Sequence, residues 1–342
     1  MKKILIINRN NTDNIGDKTI GIAMQALVKE ISSAKVYSAD LTTERHLNNR
    51  LSRAKHSVYK LVARLGGREF VWKMENRGLF KVLDKNVFDL VLISGGELVQ
   101  SNKIFPKALD TWTYKIKIKQ PQAKIYLFGV GVTSHFSIED KKHLLNMLKR
   151  INGVVVRDQM SKDNLLNQYG IESKVIPDVV YSLRRREEKD GTPYRSGVLY
   201  GLTNWERIKK YGLYASSREE YYKKTLEAIP KNGKLFYTTE TDHKECLCFQ
   251  SYAKNNNVDL EIAYYDDIDA LFSLLQTKEA VYSPRMHGCI IADLCGCRTE
   301  PILISPKMES YKATYKKPLD FIGMQAKIVE ELKLIFENND II

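Results

Sequence analysis

Between Phe88 and Ser94 the chain reads Phe-Asp-Leu-Val-Leu-Ile-Ser and then turns at Gly95-Gly96. A short, nearly unbroken apolar run closed by glycines is the pattern of a central strand in a parallel sheet, buried on both faces by helices. The same grammar recurs along the first half of the chain. Lys3 to Asn8 is a short buried strand closed by a polar loop, and apolar periodicity predicts a helix from Thr19 to Ile31. Val36-Tyr37 marks a second strand. Lys124 to Val132 repeats the pattern with Gly129 and Gly131, and Gly153 to Val156 is a further strand followed by a helix from Ser161 to Tyr169. Strands alternating with helices predict a doubly wound parallel sheet.

A chain of 342 residues exceeds what one small core organises, so a second domain is expected. The alternation breaks at Arg184 to Pro193, a polar stretch ending in Gly191-Thr192-Pro193, and that composition reads as a linker. Strand patterns then resume at Val198–Leu202, Leu235–Thr238, Leu260–Ala263, Ala280–Ser283 and Ile302–Ile304. Helices are predicted between them near Glu219–Ile229, His243–Ala253, Ile268–Leu275 and His287–Cys295, and an amphipathic helix follows at about Phe321 to Glu337. The expected fold is therefore α/β, with two doubly wound Rossmann-like domains facing across a cleft. Residues 1–183 form the first domain, 184–194 the linker and 195–315 the second domain. The terminal segment 316–342 is expected to pack back on the first domain.

Charge is distributed unevenly. The net charge is +13, yet residues 1–150 carry 27 basic and 13 acidic side chains while residues 151–342 carry 27 and 28. Part of the excess lies in a helical insert at about 44–86, where residues 45–85 hold 11 basic and 3 acidic side chains. Two readings stand for it: a solvated helix face, or a surface drawn to an anionic membrane at ~1 kcal/mol per basic residue. No nucleic-acid recognition motif accompanies the charge. No apolar stretch approaches the roughly 18–20 residues of a membrane span. The run Ile4 to Ile7 is too short for a signal peptide, so a cytoplasmic protein, at most peripheral to the inner face of the membrane, is expected. Five cysteines, at 246, 248, 289, 295 and 297, are an odd number without a CxxC pair and read as reduced thiols.

In doubly wound sheets ligands bind beyond the carboxyl ends of the strands, so the loops there are the places to search. The first, Asn11 to Asp17, leads through Gly16 into a helix start suited to anions, with Asp17 read as the helix cap. It lacks the Gly-Lys-Ser/Thr ending of a phosphate loop. Gly95, Gly96 and Glu97, and then Gly129 to Val132, form glycine turns that bring backbone close to a ligand or merely turn tightly. Neither completes GxGxxG. Arg157-Asp158 after Val154–Val156 reads either as an anion grip or as a structural cap. Ser283-Pro284-Arg285-Met286-His287-Gly288 places an arginine and a histidine two apart at a strand-to-helix turn, as anion clamp and proton donor. Lys307 adds a cation on the next loop. Asp266-Asp267 reads as capping before Leu271. Tyr200, Trp205, Tyr211, Tyr214, Tyr221 and Tyr222 offer either sugar-stacking faces or ordinary packing.

Taken in order, Asn14-Ile15-Gly16-Asp17, Gly95-Gly96, Gly129-Val130-Gly131, Val156-Arg157-Asp158 with Ser161, Pro177-Asp178, Arg285-Met286-His287-Gly288 and Ser305-Pro306-Lys307 resemble the polysaccharide pyruvyl transferase family. The resemblance runs from about residue 4 to 310 and implies a GT-B-like fold. It implies transfer of pyruvate from phosphoenolpyruvate to two hydroxyls of a sugar in a cell-surface polysaccharide precursor, giving a cyclic ketal and phosphate. Phosphoenolpyruvate is then a co-substrate, and no cofactor or metal is expected. The family's donor-binding residues map onto Arg157, Arg285 and Lys307, with His287 as the acid. Asn14, Gly16, Asp17, Gly95, Gly96 and Glu97 are left as acceptor or loop candidates, Glu97 standing where the family commonly has a third glycine. With the basic insert, the resemblance suggests a lipid-linked oligosaccharide acceptor. Two rivals remain open at this point: a nucleotide-sugar glycosyltransferase using Glu279 or Glu300, and a non-catalytic scaffold for membranes or polyanions.

Overall fold

The computed structural model describes residues 1–43, 72, 74–183, 195–315 and 318–342. The proposed linker lies wholly, and the basic insert in large part, outside the described residues. The chain divides into two compact units: Met1–Thr12, Ile20–Ile176 and Val329–Ile342 in one, and Asp13–Thr19 with Pro177–Ile328 in the other.

In the first unit the elements run β1 (Lys3–Asn8), α1 (Ile15–Ile31, its first turn assigned to the second unit), β2 (Lys35–Asp40), α2 (Val82–Lys85), β3 (Leu90–Ser94), α3 (Phe105–Lys119), β4 (Lys124–Val130), α4 (Ile138–Leu148), β5 (Gly153–Val156), α5 (Gln159–Tyr169) and β6 (Lys174–Val175). All pairs are parallel, in the order β2-β1-β3-β4-β5-β6. Every residue of β3 is buried, as its apolar run requires of an interior strand. Alternate side chains of the central strands (Leu5, Ile7, Val91, Ile93, Ile125, Leu127) share one core with Leu109, Trp112 and Ile116 of α3. The chain returns to this unit at its end, where Glu331 pairs with Lys174 at 3.0 Å and Asn339 donates to the Tyr126 hydroxyl at 3.2 Å.

The second unit holds β7 (Val198–Gly201), α6 (Trp205–Tyr211), α7 (Arg218–Ala228), β8 (Gly233–Phe236), α8 (Glu240–Asn255), α9 (Ile268–Gln276), β9 (Ala280–Ser283), α10 (Met286–Leu294), β10 (Arg298–Pro301), α11 (Pro306–Thr314) and the start of α12 (Phe321–Glu337). Its parallel sheet has the order β10-β9-β7-β8. Both sheets are doubly wound. The strand order reverses between β1 and β3 in one and between β7 and β9 in the other, which marks the crevices where such sheets bind ligands.

Several sequence-based boundaries shift by one to three residues, and three readings change more. Helix α1 starts four residues before the predicted Thr19, because the Asn14 side chain accepts from the Gly16 N–H at 3.0 Å and caps the first turn. Leu260–Ala263 forms no strand: Glu261 and Ala263 each make one backbone bond to Leu235, giving an isolated bridge. The last strand is Arg298–Pro301, ahead of the apolar Ile302–Ile304, since an edge strand with one fully buried residue leaves little apolar signature.

Candidate active site

In the second unit the chemistry gathers where β7 and β9 part. Strand β9 ends at Ser283, whose hydroxyl accepts from the Arg285 N–H at 3.1 Å and donates to its carbonyl at 3.0 Å, closing the turn into α10. A Cβ on Gly288 would lie 2.4 Å from that same hydroxyl oxygen, so the glycine of Arg-Met-His-Gly is the space the turn needs.

Arg285 makes a two-pronged bond to Asp242, Nε to Oδ2 at 2.9 Å and Nη2 to Oδ1 at 2.6 Å. Asp242 is fully buried in the first turn of α8 and also accepts from the Thr203 hydroxyl at 3.1 Å and the Asn204 N–H at 3.2 Å. Arginine carries five N–H groups and Asp242 takes two. The carboxylate therefore fixes the guanidinium while leaving donor capacity for an anion.

His287 occupies the first turn of α10, 7% exposed, with Nε2 at 3.3 Å from Oδ2 of Asp178. Asp178 is itself locked. Its other oxygen accepts from the Val180 N–H at 3.1 Å, and its own N–H donates to the Tyr315 hydroxyl at 2.8 Å. A fixed carboxylate on one ring nitrogen sets the tautomer and orientation of an imidazole. The opposite nitrogen faces the first turn of α1, where a Cβ on Gly16 would come within 2.3 Å of Nδ1, inside any tolerable contact. That turn is pinned by Ile15 N–H donating to the Thr238 carbonyl at 3.1 Å and by Asp13 accepting from the Glu240 N–H at 2.8 Å. Asn14, Gly16 and Asp17 thus belong to the same cluster as His287. Asp17 is not the cap expected from sequence; it lies within the first turn and accepts from the Asn14 amide at 3.0 Å. Lys307 stands at the second position of α11, half-buried, directly after Pro306.

The remaining candidates meet at the carboxyl ends of β3, β4 and β5 in the first unit. The Gly131 N–H donates to the Gly96 carbonyl at 2.7 Å, bringing the two glycine turns together. Arg157, 1% exposed, lays its guanidinium on Gly131, where a Cβ would approach Nη2 to 2.9 Å. Of the two sequence readings of Arg157-Asp158, the geometry shows the structural one. Asp158 caps α5 by accepting from the Ser161 N–H at 2.7 Å, and its second oxygen lies 3.6 Å from Arg157 Nε. Ser161 in turn accepts from the Val132 N–H at 2.9 Å. Gly95 packs tightly on Leu98, and Glu97 is half-buried with its carbonyl accepting from the Gln100 amide at 2.6 Å.

Two other sequence readings resolve into structure. Asp267 caps α9 by accepting from the Ala270 N–H at 2.8 Å. Tyr200, Tyr221 and Tyr222 of the aromatic group are core: Tyr200 stacks on Tyr282 at 5.6 Å, and burial pushes all three phenols well above their usual range. No group of three or more metal-ligating side chains occurs among the described residues, nor any helix there long and apolar enough to cross a membrane.

Sequence reasoning missed the two carboxylates that orient the site. Asp178 appeared only as a position in a motif. Asp242 is hidden in Thr239-Glu240-Thr241-Asp242, which reads as an ordinary helix start; Thr239 does accept from the Asp242 N–H at 3.2 Å. A fully buried aspartate in a first turn is the signal, and burial is a tertiary quantity.

Fold and clusters together define a GT-B-like α/β protein with arginines and a histidine at the carboxyl ends of parallel strands. The chain belongs to the polysaccharide pyruvyl transferase family, whose sequence model matches residues 14–303. No curated protein matches it in sequence. Among solved structures, the UDP-GlcNAc 2-epimerase of Methanocaldococcus jannaschii in complex with UDP-GlcNAc and UDP is similar, with a TM-score of 0.54 at 12% identity over 99% of this chain and all of that one. The S. aureus MnaA–UDP structure has a TM-score of 0.51 at 10% identity over 100% and 98%, and Anabaena Alr3699/HepE with UDP and glucose 0.50 at 11% over 97% and 100%. At such identities the likeness is one of fold.

Proposed function

We propose that this transferase moves the pyruvyl group of phosphoenolpyruvate onto two hydroxyls of one sugar in a cell-surface polysaccharide precursor, as a cyclic ketal. The observation that carries the reading is the His287–Asp178 pair standing two residues from an Arg285 held by Asp242 at the end of β9. Phosphoenolpyruvate presents a carboxylate and a phosphate, which Arg285 and Lys307 of the second unit suit. Protonated His287 gives its proton to the methylene carbon, making it a methyl group and leaving positive charge on C2. One sugar hydroxyl adds to C2 and its proton restores His287. The C2–O bond to phosphate then breaks, the second hydroxyl adds, and its proton leaves with the phosphate. The sum is phosphoenolpyruvate plus diol giving ketal plus phosphate. No step calls for a metal or cofactor.

Calorimetry with phosphoenolpyruvate tests the donor directly. Native protein is expected to bind it, Arg285→Ala to weaken binding at least tenfold, and His287→Ala to retain most of it. A native protein that ignores phosphoenolpyruvate, with or without sugar, but binds UDP-GlcNAc would sink this reading in favour of a nucleotide-sugar donor. The lipid-linked form of the acceptor and the membrane contact of residues 45–85 rest on the charge of a segment that is largely outside the described residues.

A further inference from the structure

Away from both clusters, the first unit carries a cavity of about 870 Å³ between α3 and the segment leading into α2. Three rings line it: Trp72, Phe80 and Tyr114. Its carboxylates are already engaged, Asp84 with Lys119 and Asp110 with both Arg150 at 2.5 Å and His143 at 2.7 Å. Arg77 and Lys81 are exposed at its edge, and Lys115 sits over the Phe80 ring at 4.8 Å. The lining therefore keeps a surplus of positive charge over an aromatic floor. The helix beside it continues the theme. Tyr114 and Ile118, one turn apart on α3, are 52% and 61% exposed, with Lys115 and Lys119 between and beyond them.

Apolar side chains left in water cost free energy, and lysine stems shield them only in part. An exposed tyrosine and isoleucine set among cations match one surface in particular: a bilayer face, where phosphodiesters meet the cations and the glycerol–acyl boundary meets the apolar groups. A soluble polyanion such as nucleic acid would use the cations and gain nothing from Ile118.

We propose that this cavity and the adjoining face of α3 form a docking surface for anionic phospholipid headgroups of a membrane. The inference is independent of the pyruvyl-transfer reading, because none of these residues belongs to either cluster.

Sedimentation of the full chain with vesicles tests it. Native protein is expected to pellet with phosphatidylglycerol-containing vesicles, to stay in solution with pure phosphatidylcholine, and to lose binding as salt rises. Arg77→Glu with Lys81→Glu should cut vesicle affinity at least about 25-fold, at roughly fivefold per basic residue. Tyr114→Ser with Ile118→Ser should weaken vesicle binding while leaving heparin binding unchanged. Lys209→Glu with Lys223→Glu, exposed on the second unit, should change neither, and melting curves check that every variant folds. Three results would overturn the proposal: no pelleting of native protein, equal loss with the second-unit reversals, or vesicle binding indifferent to Tyr114 and Ile118. The last would mark a general polyanion surface instead.

Discussion

Gly16 and His287 lie 271 positions apart in a sequence that gives neither a reason to depend on the other. In the folded chain a methyl group at one would collide with the ring of the other. Gly16→Ala is therefore expected to displace the imidazole from Asp178 and to lower phosphate release at least tenfold, while the melting temperature falls only a few degrees; steady-state kinetics beside a thermal melt checks both. Asp178→Asn keeps the shape and removes the charge that fixes the ring. Activity should drop by up to the ~10²–10⁴-fold that a positioned acid supplies, with the pH profile displaced and phosphoenolpyruvate binding nearly intact. A merely structural Asp178 would leave the profile where it was. The motif residues His287, Arg285 and Arg157 were legible as chemistry because their types and their places after strands suffice to suggest it. Asp178 and Asp242 were not, because an aspartate at a helix start is ordinary until its burial is known.

Secondary-structure elements repeat the lesson at a larger size. Strands β1, β5 and β9 and helix α12 have the bounds their patterns predict, since each is either a short apolar run or a sustained amphipathic period. Helices α3, α4, α6 and α11 went unannounced. Two of them start on polar contacts: Ser137 accepts from the Asp140 N–H at 3.1 Å to cap α4, and Asn204 from the Arg207 N–H at 3.0 Å to cap α6. Caps of this kind carry measurable stability. Asp267→Ala removes the bond to Ala270 at the start of α9, touches none of the residues assigned to the donor, and should cost about 0.5–2 kcal/mol without altering phosphoenolpyruvate binding. A thermal melt paired with calorimetry reads both halves of that expectation.

At the scale of the molecule, the buried phenols among the described residues are expected to weaken the fold as pH rises above the ordinary phenol range. Burial holds Tyr181, Tyr200, Tyr221 and Tyr311 well above the usual phenol range, and raises Tyr169 to about 12 with help from the nearby Asp140 charge. A phenol whose folded pKa lies above its unfolded value, near 10, favours the fold fully below that pH; its contribution is lost as pH rises toward the folded value. Phenolate absorbance should thus rise in two stages, an early non-cooperative one from exposed tyrosines and a later one coincident with loss of circular dichroism. A single smooth titration near pH 10 would contradict the buried network. The sequence by itself determined the α/β class, the family and the residue types of the site, because local periodicity, glycine turns and short motifs are carried by neighbours in the chain. Tertiary structure alone decided that Gly16 makes room for His287, that Asp178 and Asp242 hold the histidine and arginine, and that Tyr200, Tyr221 and Tyr222 are core. Those outcomes depend on burial and close approach between residues far apart in sequence, which come into being only when the strands are laid side by side.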